Sequence, residues 1–230
     1  MIEISNLSKH FFIDKKRIDV LRELNLNIKK DKITVILGRS GCGKTTLLRL
    51  IAGLESVSLG EIKFKEQAKI GFVFQEPRLM PFLNVYENIV FALKKQEIEP
   101  AKIEALILMI GLSDFKFAAV SQLSGGMSSR VSLARVLAYE ANLILMDEPF
   151  ATLDAFTRAS MQAEILKIQD GKTIIFVTHN IDEALFLADE IILLEKGGIK
   201  SNYDLSNLAR IRDLLSEELI AVKRKILSEI

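Results

Sequence analysis

The chain has 230 residues, with 31 Lys and Arg against 30 Asp and Glu, a balance that excludes a global field able to recruit nucleic acid or anionic lipid at long range. Its length suits one substantial core and leaves no room for two tandem copies, and 49% hydrophobic with 27% charged residues excludes a disordered chain. The one cysteine, Cys42, cannot form an intrachain disulfide, which agrees with a reducing compartment.

The first segment, Met1 to Arg17, carries charge early and lacks the apolar core and small-residue cleavage site of a signal peptide. Ile2 and Ile4, then Leu24, Leu26 and Ile28, alternate with polar residues, as half-buried antiparallel strands do, so a small β layer is expected to open the chain. Four apolar runs, Ile33 to Leu37, Ile70 to Phe74, Leu143 to Met146 and Ile174 to Val177, read as strands buried on both faces of a parallel sheet. Each is followed by something polar: a glycine-rich loop at Gly38, Gln75, the Asp147-Glu148 pair, and His179. Ligands of open α/β sheets sit beyond the carboxyl ends of the strands, so these four ends are expected to serve one crevice.

Between about 84 and 122 the spacing becomes helical, through Val85, Ile89 and Ala92, then Ile103, Leu106 and Ile110, with Pro100 between them. This is a candidate helical insert within a single domain of residues 1–230. A helical tail is expected over about 205–230, where Ile211, Leu215, Leu219, Val222 and Ile226 form one apolar stripe. The longest apolar runs fall far short of the roughly 20 residues of a spanning helix, so the protein is expected to be cytosolic.

Gly38-Arg39-Ser40-Gly41-Cys42-Gly43-Lys44-Thr45 matches the G-x-x-x-x-G-K-[ST] phosphate loop, between an expected strand and an expected helix through Leu47, Leu48 and Ile51. Glycines let backbone N–H groups close around phosphate oxygens, Lys44 supplies charge to the β and γ phosphates, and the Thr45 hydroxyl suits Mg²⁺. A chance match in a chain of this size arises about 1% of the time, which disfavours a mere glycine turn. The strand Leu143 to Met146 ends in two carboxylates that point opposite ways. Asp147 suits the Mg²⁺ shell, and Glu148 is left to orient and deprotonate water as a general base.

Leu123-Ser124-Gly125-Gly126-Met127 places a good N-cap before two residues without side chains, a second surface on which helix N–H groups meet an anion. LSGG before a helix resembles the signature motif of ABC (ATP-binding cassette) transporter ATPases, and the resemblance runs from about Ile2 to Leu194. It implies an α/β P-loop fold with a mainly parallel sheet, an antiparallel β layer and an inserted helical subdomain. It also implies an ATP and Mg²⁺ site shared between two chains, the Ser124, Gly125 and Gly126 turn of one meeting the γ-phosphate held by the other.

The same resemblance assigns Phe11 to adenine stacking, with neighbouring Phe12 as the alternative, and Gln75 to sensing Mg²⁺ and the membrane partner. Asp154, in Ala151-Thr152-Leu153-Asp154, matches the D-loop, and His179 matches the switch histidine. Arg39, Ser40, Gly41, Cys42, Gly43 and Thr46 complete the implied nucleotide contacts. Gln75 to Pro81 and Met127 look most like ATPases of nitrate, sulfonate and taurine importers. The implied partners are a second ATPase subunit, transmembrane permease subunits, and an extracytoplasmic solute-binding protein, with no nucleic acid. The implied location is the inner face of the cell membrane.

Phe82, Leu83, Val85 and Tyr86 read equally as core or as the surface that receives the permease. Ser128 and Ser129 stand where longer polar or basic residues are usual, Asn180 where Asp is frequent, and the stretch from Glu61 to Ala68 is short. The rival readings are a non-transport ABC ATPase acting on ribosomes or DNA, and a nonenzymatic nucleotide-gated subunit.

Overall fold

The computed structural model of the chain describes residues 1–230, which fall into two compact units. One comprises Met1–Ala68 with Gln169–Ile230, the other Lys69–Ile168.

In the first unit, β1 (Ile2–Ile13) and β2 (Lys16–Ile28) form an antiparallel hairpin, and β4 (Leu59–Phe64) pairs with the other edge of β1. The expected alternation is there, since Ile2, Ile4, Leu24, Leu26 and Ile28 are all buried. Asp14 and Lys15 both have positive φ, 49° and 64°, as a two-residue hairpin turn that matches strand twist demands. The second sheet of this unit runs β7 (Thr173–Thr178), β3 (Ile33–Leu37), β8 (Glu190–Glu195), β9 (Gly198–Asp204). Strand β3 is parallel to both its neighbours, while β9 returns antiparallel on β8. All five residues of β3 and all six of β7 are buried, which is why they read as unbroken apolar runs. Helices α1 (Lys44–Ile51), α6 (Ile181–Leu187) and α7 (Glu217–Glu229) complete the unit.

The expected tail helix over 205–230 is shorter than its apolar stripe suggests. Helix α7 starts only at Glu217; Leu219 and Ile226 are buried, but Ile211 and Leu215 lie before it and are 83% and 80% exposed. A buried arginine accounts for the irregular stretch. Arg212 donates to the carbonyls of Leu185, Ala188 and Leu205 at 2.8, 2.5 and 3.1 Å, tying residues 205–212 down in a path no helix would follow.

The second unit contains a parallel pair, β5 (Ile70–Val73) and β6 (Leu143–Asp147), and four helices: α2 (Val85–Val90), α3 (Pro100–Met109), α4 (Gly125–Ala138) and α5 (Ala155–Ile168). Helix α2 opens with a capping box: Asn84 Oδ1 accepts from Glu87 N and Glu87 Oε2 accepts from Asn84 N, both at 2.9 Å. Pro100 begins α3 at the position where a missing N–H costs nothing. One core joins α2, α3 and α4 through Val85, Ile89, Ile103, Ile107, Ile110, Leu112, Val131, Ala134 and Ala138. Of the cluster left open between core and docking surface, Val85 is fully buried and Phe82 is 78% exposed. Ala92 lies beyond the end of α2 and is exposed. No helix of the chain is long and apolar enough to cross a membrane.

Candidate functional site

The phosphate loop leaves β3 at Leu37 and ends where α1 begins at Lys44. Two of its glycines are demanded by this unit itself. A Cβ on Gly38 would lie 2.3 Å from the Leu194 carbonyl oxygen, and Gly43, at φ 106°, would place one 2.6 Å from Leu21 Cδ2. Lys44 is buried, its ammonium donating to the carbonyls of Gly38 at 2.8 Å and Arg39 at 3.0 Å. The loop thereby curls around its own lysine. Arg39, Ser40 and Gly41 are exposed, Cys42 is buried, and Thr45 and Thr46 are half-buried on the first turn of α1. That turn carries no acidic residue, so no carboxylate on it offsets the positive end of the helix dipole.

His179 follows β7, and the register Leu37↔Thr178 means that it leaves the sheet beside Gly38. Its backbone is fixed on both sides: Thr178 Oγ1 donates to Glu183 Oε2 at 2.6 Å and accepts from Asn180 N at 3.0 Å. Asn180 Oδ1 accepts from the N–H groups of Asp182 and Glu183 at 2.9 and 3.3 Å. Asn180 thus caps α6 as Asp would, so this departure from the usual pattern leaves the local structure intact. The His179 side chain is exposed.

Phe11 is half-buried, with the Lys9 ammonium 4.6 Å from its ring centroid; Phe12, on the opposite face of β1, is 67% exposed. Lys9 is itself pinned, donating to Ser56 O at 2.7 Å and Glu55 Oε2 at 3.3 Å. On the outer side of the phosphate loop a cavity of ≈ 250 Å³ reaches Lys200, Glu229 and Ile230. Within it Lys200 bonds Glu195 at 3.0 Å and the Glu229 carbonyl. The Lys200 hydrogen bond holds the Glu195 carboxyl below its ordinary value.

In the second unit the register Val73↔Met146 carries Gln75 and the Asp147-Glu148 pair off the same end of the β5–β6 ladder. Asp147 is buried at 3% exposure, Glu148 is half-buried and Gln75 exposed. Glu148 has φ 45°, a left-handed conformation costly for a non-glycine residue and all the more so before a proline, here Pro149. Strain of this kind collects at functional positions. Nothing in the sequence pattern announced it, since a following proline favours an extended residue.

Ser124 caps α4, its Oγ accepting from Met127 N at 3.2 Å. Gly125 is exposed, and a Cβ there would meet nothing nearer than Thr152 Cβ at 3.9 Å; at Gly126 one would meet Leu153 Cδ2 at 3.1 Å. The signature turn and the Ala151–Asp154 segment are therefore packed together. Asp154 Oδ1 accepts from Phe156 N and Thr157 N, both at 3.0 Å, capping α5. The Thr157 side chain is the main reason that the Asp154 carboxyl sits below its ordinary value. Ser129, expected as a departure, is buried and bonded to Gly125 O at 3.1 Å and Thr152 Oγ1 at 3.0 Å. The shortness of its side chain is what admits that contact.

Residues 21–151 match the family model described as ABC transporter. An uncharacterized ABC transporter ATP-binding protein, MJ0412 of Methanocaldococcus jannaschii, is 41% identical, with 99% of this chain and 90% of that protein covered. The aliphatic sulfonates import ATP-binding protein SsuB of Bacillus cereus is 38% identical, with coverages of 99% and 95%. The spermidine/putrescine import ATP-binding protein PotA of Bacteroides fragilis is 42% identical over 87% of this chain but 46% of its own length. The ATP-binding cassette MJ0796, solved as a dimer in a post-hydrolysis state bound to ADP and Pi, superimposes with a TM-score of 0.81 at 32% identity, covering 89% of this chain and 99% of that one. Sequence and fold agree across nearly the whole length, and the chain belongs to the ABC transporter family as one of its ATP-binding, ATP-hydrolysing proteins.

Proposed function

We propose that the chain is a single functional ATPase domain that pairs head to tail with a second copy around two ATP and drives a separate membrane permease. The cargo would be a sulfonate, or a nitrate- or taurine-like small molecule. The observation that carries the paired site is Gly125. Its own unit leaves room for a side chain, and alanine at a helix start would be the better helix former. A bare, exposed helix start therefore serves something that approaches from outside, and the γ-phosphate held by the mate's phosphate loop has the charge that helix N–H groups attract. The dimeric state solved for MJ0796 supports the pairing, as two-fold symmetry makes each chain both donor and acceptor of the motif.

Within that site Lys44 and the N–H groups of the Gly38 loop bind the β and γ phosphates, with Arg39, Ser40, Gly41, Cys42, Gly43 and Thr46 around them. Phe11 stacks on adenine. Glu148 takes the proton of the attacking water, and His179 touches the γ-phosphate. The donors present suit Mg²⁺: a hydroxyl at Thr45, a carboxylate at Asp147 and an amide oxygen at Gln75 are hard oxygen ligands. No group of three or more His, Cys, Asp or Glu is gathered as a protein cage, as expected for a cation held largely by phosphate oxygens and water. When bound, Mg²⁺ neutralises charge on the β and γ oxygens.

The sulfonate assignment is supported by coverage. SsuB aligns with this chain end to end, whereas the chain spans about half the length of PotA. The chain would sit on the inner face of the membrane through the permease, and a solute-binding protein would deliver cargo from outside. The test is affinity capture of the tagged chain from membranes, followed by ATPase assays of the captured complex in liposomes. A permease should co-purify, and an alkanesulfonate with its solute-binding protein should stimulate hydrolysis where spermidine does not. Stimulation by spermidine alone would overturn the cargo class; capture of ribosomes or DNA without a permease would overturn the transport reading.

A further inference from the structure

We infer that the hydroxyl pair Ser129–Thr152 is a positioning device that locks the Ala151–Asp154 segment to the first turn of α4, so that the Ser124 motif and Asp154 meet the partner copy as one piece. This rests on the paired-site reading above. It adds residues that this reading leaves without a task.

Proton bookkeeping gives the pair a direction. Each hydroxyl has one proton to donate. Ser129 Oγ gives its proton to the Gly125 carbonyl at 3.1 Å, so the 3.0 Å contact with Thr152 Oγ1 is made by Thr152 donating to Ser129. A relay results, from Thr152 through Ser129 to the carbonyl of the glycine whose bareness marks the anion-facing turn. It joins residues 23 positions apart, and it is backed by the close approach of Gly126 to Leu153 Cδ2. The Thr152 segment is held from its other side too: Arg158 Nη2 donates to Leu153 O at 2.9 Å, and Asp154 caps α5. The turn that offers N–H groups to a phosphate is thus clamped to the turn that offers a carboxylate, with α5 behind them. A longer residue at position 129 would have to leave this buried slot, and Thr152 would lose its acceptor there.

Positioning a group that acts only in the assembled site should alter turnover and leave the grip of a single chain on nucleotide alone. Thr152→Val keeps the shape and removes the donor; Ser129→Ala removes the acceptor. Each is expected to lower kcat about fivefold, the scale of one lost hydrogen bond, with binding of a fluorescent ATP analogue to the monomer unchanged. The double variant should be no slower than Ser129→Ala alone, because that change already removes the link that Thr152→Val breaks. Thr152→Ser, which restores the hydroxyl, should return kcat to within about twofold of the starting protein. Losses that multiply in the double variant, or turnover unaffected by Thr152→Val, would overturn the inference. So would a Thr152→Val defect that Thr152→Ser fails to rescue, since the methyl and not the hydroxyl would then be at work. Gly125→Ala separates the two levels: if it is inactive while Thr152→Val is fully active, only the clamp is wrong. If Gly125→Ala itself turns over normally, the paired-site reading falls and the clamp with it.

Discussion

Two glycine-rich turns, each at the start of a helix, contain glycines that are bare for opposite reasons. In the phosphate loop Gly38 and Gly43 are bare because their own unit crowds them, by a carbonyl 2.3 Å and a methyl 2.6 Å from where a Cβ would stand. In the signature turn Gly125 is bare although a Cβ there would make only an ordinary contact, with Thr152 Cβ at 3.9 Å. The first turn is a cradle finished within one chain, down to a lysine already curled onto the loop carbonyls. On the paired-site proposal, the second is a face kept clear for the partner's phosphate. Glycine in a sequence motif therefore carries two distinct meanings, and only the positions of the neighbours tell them apart.

The deepest loss is expected where neither turn is touched. Glu148→Gln leaves both glycine turns intact but removes the base, so turnover should fall by about 10²–10⁴-fold. Binding should persist, and sedimentation should show an ATP-dependent dimer that accumulates. Hydrolysis at the normal rate would strip Glu148 of that role. Lys44→Ala breaks the cradle itself. Removing a buried cation that forms charge-assisted bonds should weaken ATP binding about a hundredfold, seen in titration of the isolated chain. If affinity stays the same, the phosphate loop is misassigned.

The two glycines should then part company under one substitution. Gly38→Ala forces a methyl into the Leu194 carbonyl and is expected to destabilise the fold by about 1–3 kcal/mol. Gly125→Ala adds a better helix former whose methyl meets only Thr152 Cβ at 3.9 Å, so stability should hold or rise, by up to about 1 kcal/mol. Yet both should lose ATPase activity. Denaturant melts alongside turnover assays distinguish them: a destabilised Gly125→Ala protein would mean that the signature turn is crowded after all, and the contrast between the turns would collapse.

Much of this was legible in the sequence because burial on two faces writes a simple pattern. Ile33–Leu37 is apolar but for Thr34, itself buried, and the strand has those bounds. The phosphate loop and the Ser124 cap were legible for a related reason, as each is a local device whose residues adjoin. What stayed hidden depends on distant neighbours. Ser129 looked like a mere shortfall until Thr152, far along the chain, proved to be its partner. The apolar stripe from Ile211 promised a longer helix, but a buried Arg212 spends that stretch on carbonyls of Leu185, Ala188 and Leu205. The left-handed Glu148 is set by what surrounds the strand end, and pattern alone would have made it an ordinary extended residue. The choice between Phe11 and Phe12 was also open, because two adjacent aromatics on a strand offer one ring to each face.

That last choice yields the smallest effect and refines the account of the cradle. Phe11 is half-buried with a cation held against its ring by Ser56 and Glu55, a fixed platform; Phe12 is exposed, its ring meeting His10 edge-on. A stacking surface gains by rigidity, since ordering a mobile ring would cost entropy on each binding event. Phe11→Ala is therefore expected to weaken ATP binding by about tenfold, the scale of one base stacked on an aromatic ring, with ATP and GTP affected alike because each offers a π-face. Phe12→Ala should change affinity less than about twofold, as a solvent-facing ring contributes little. The reverse ranking, read from nucleotide titrations of the two variants, would hand the platform to Phe12. The nucleotide would then reach the opposite face of β1 from the one that Lys9 supports, and the cradle would have a different wall from the one described.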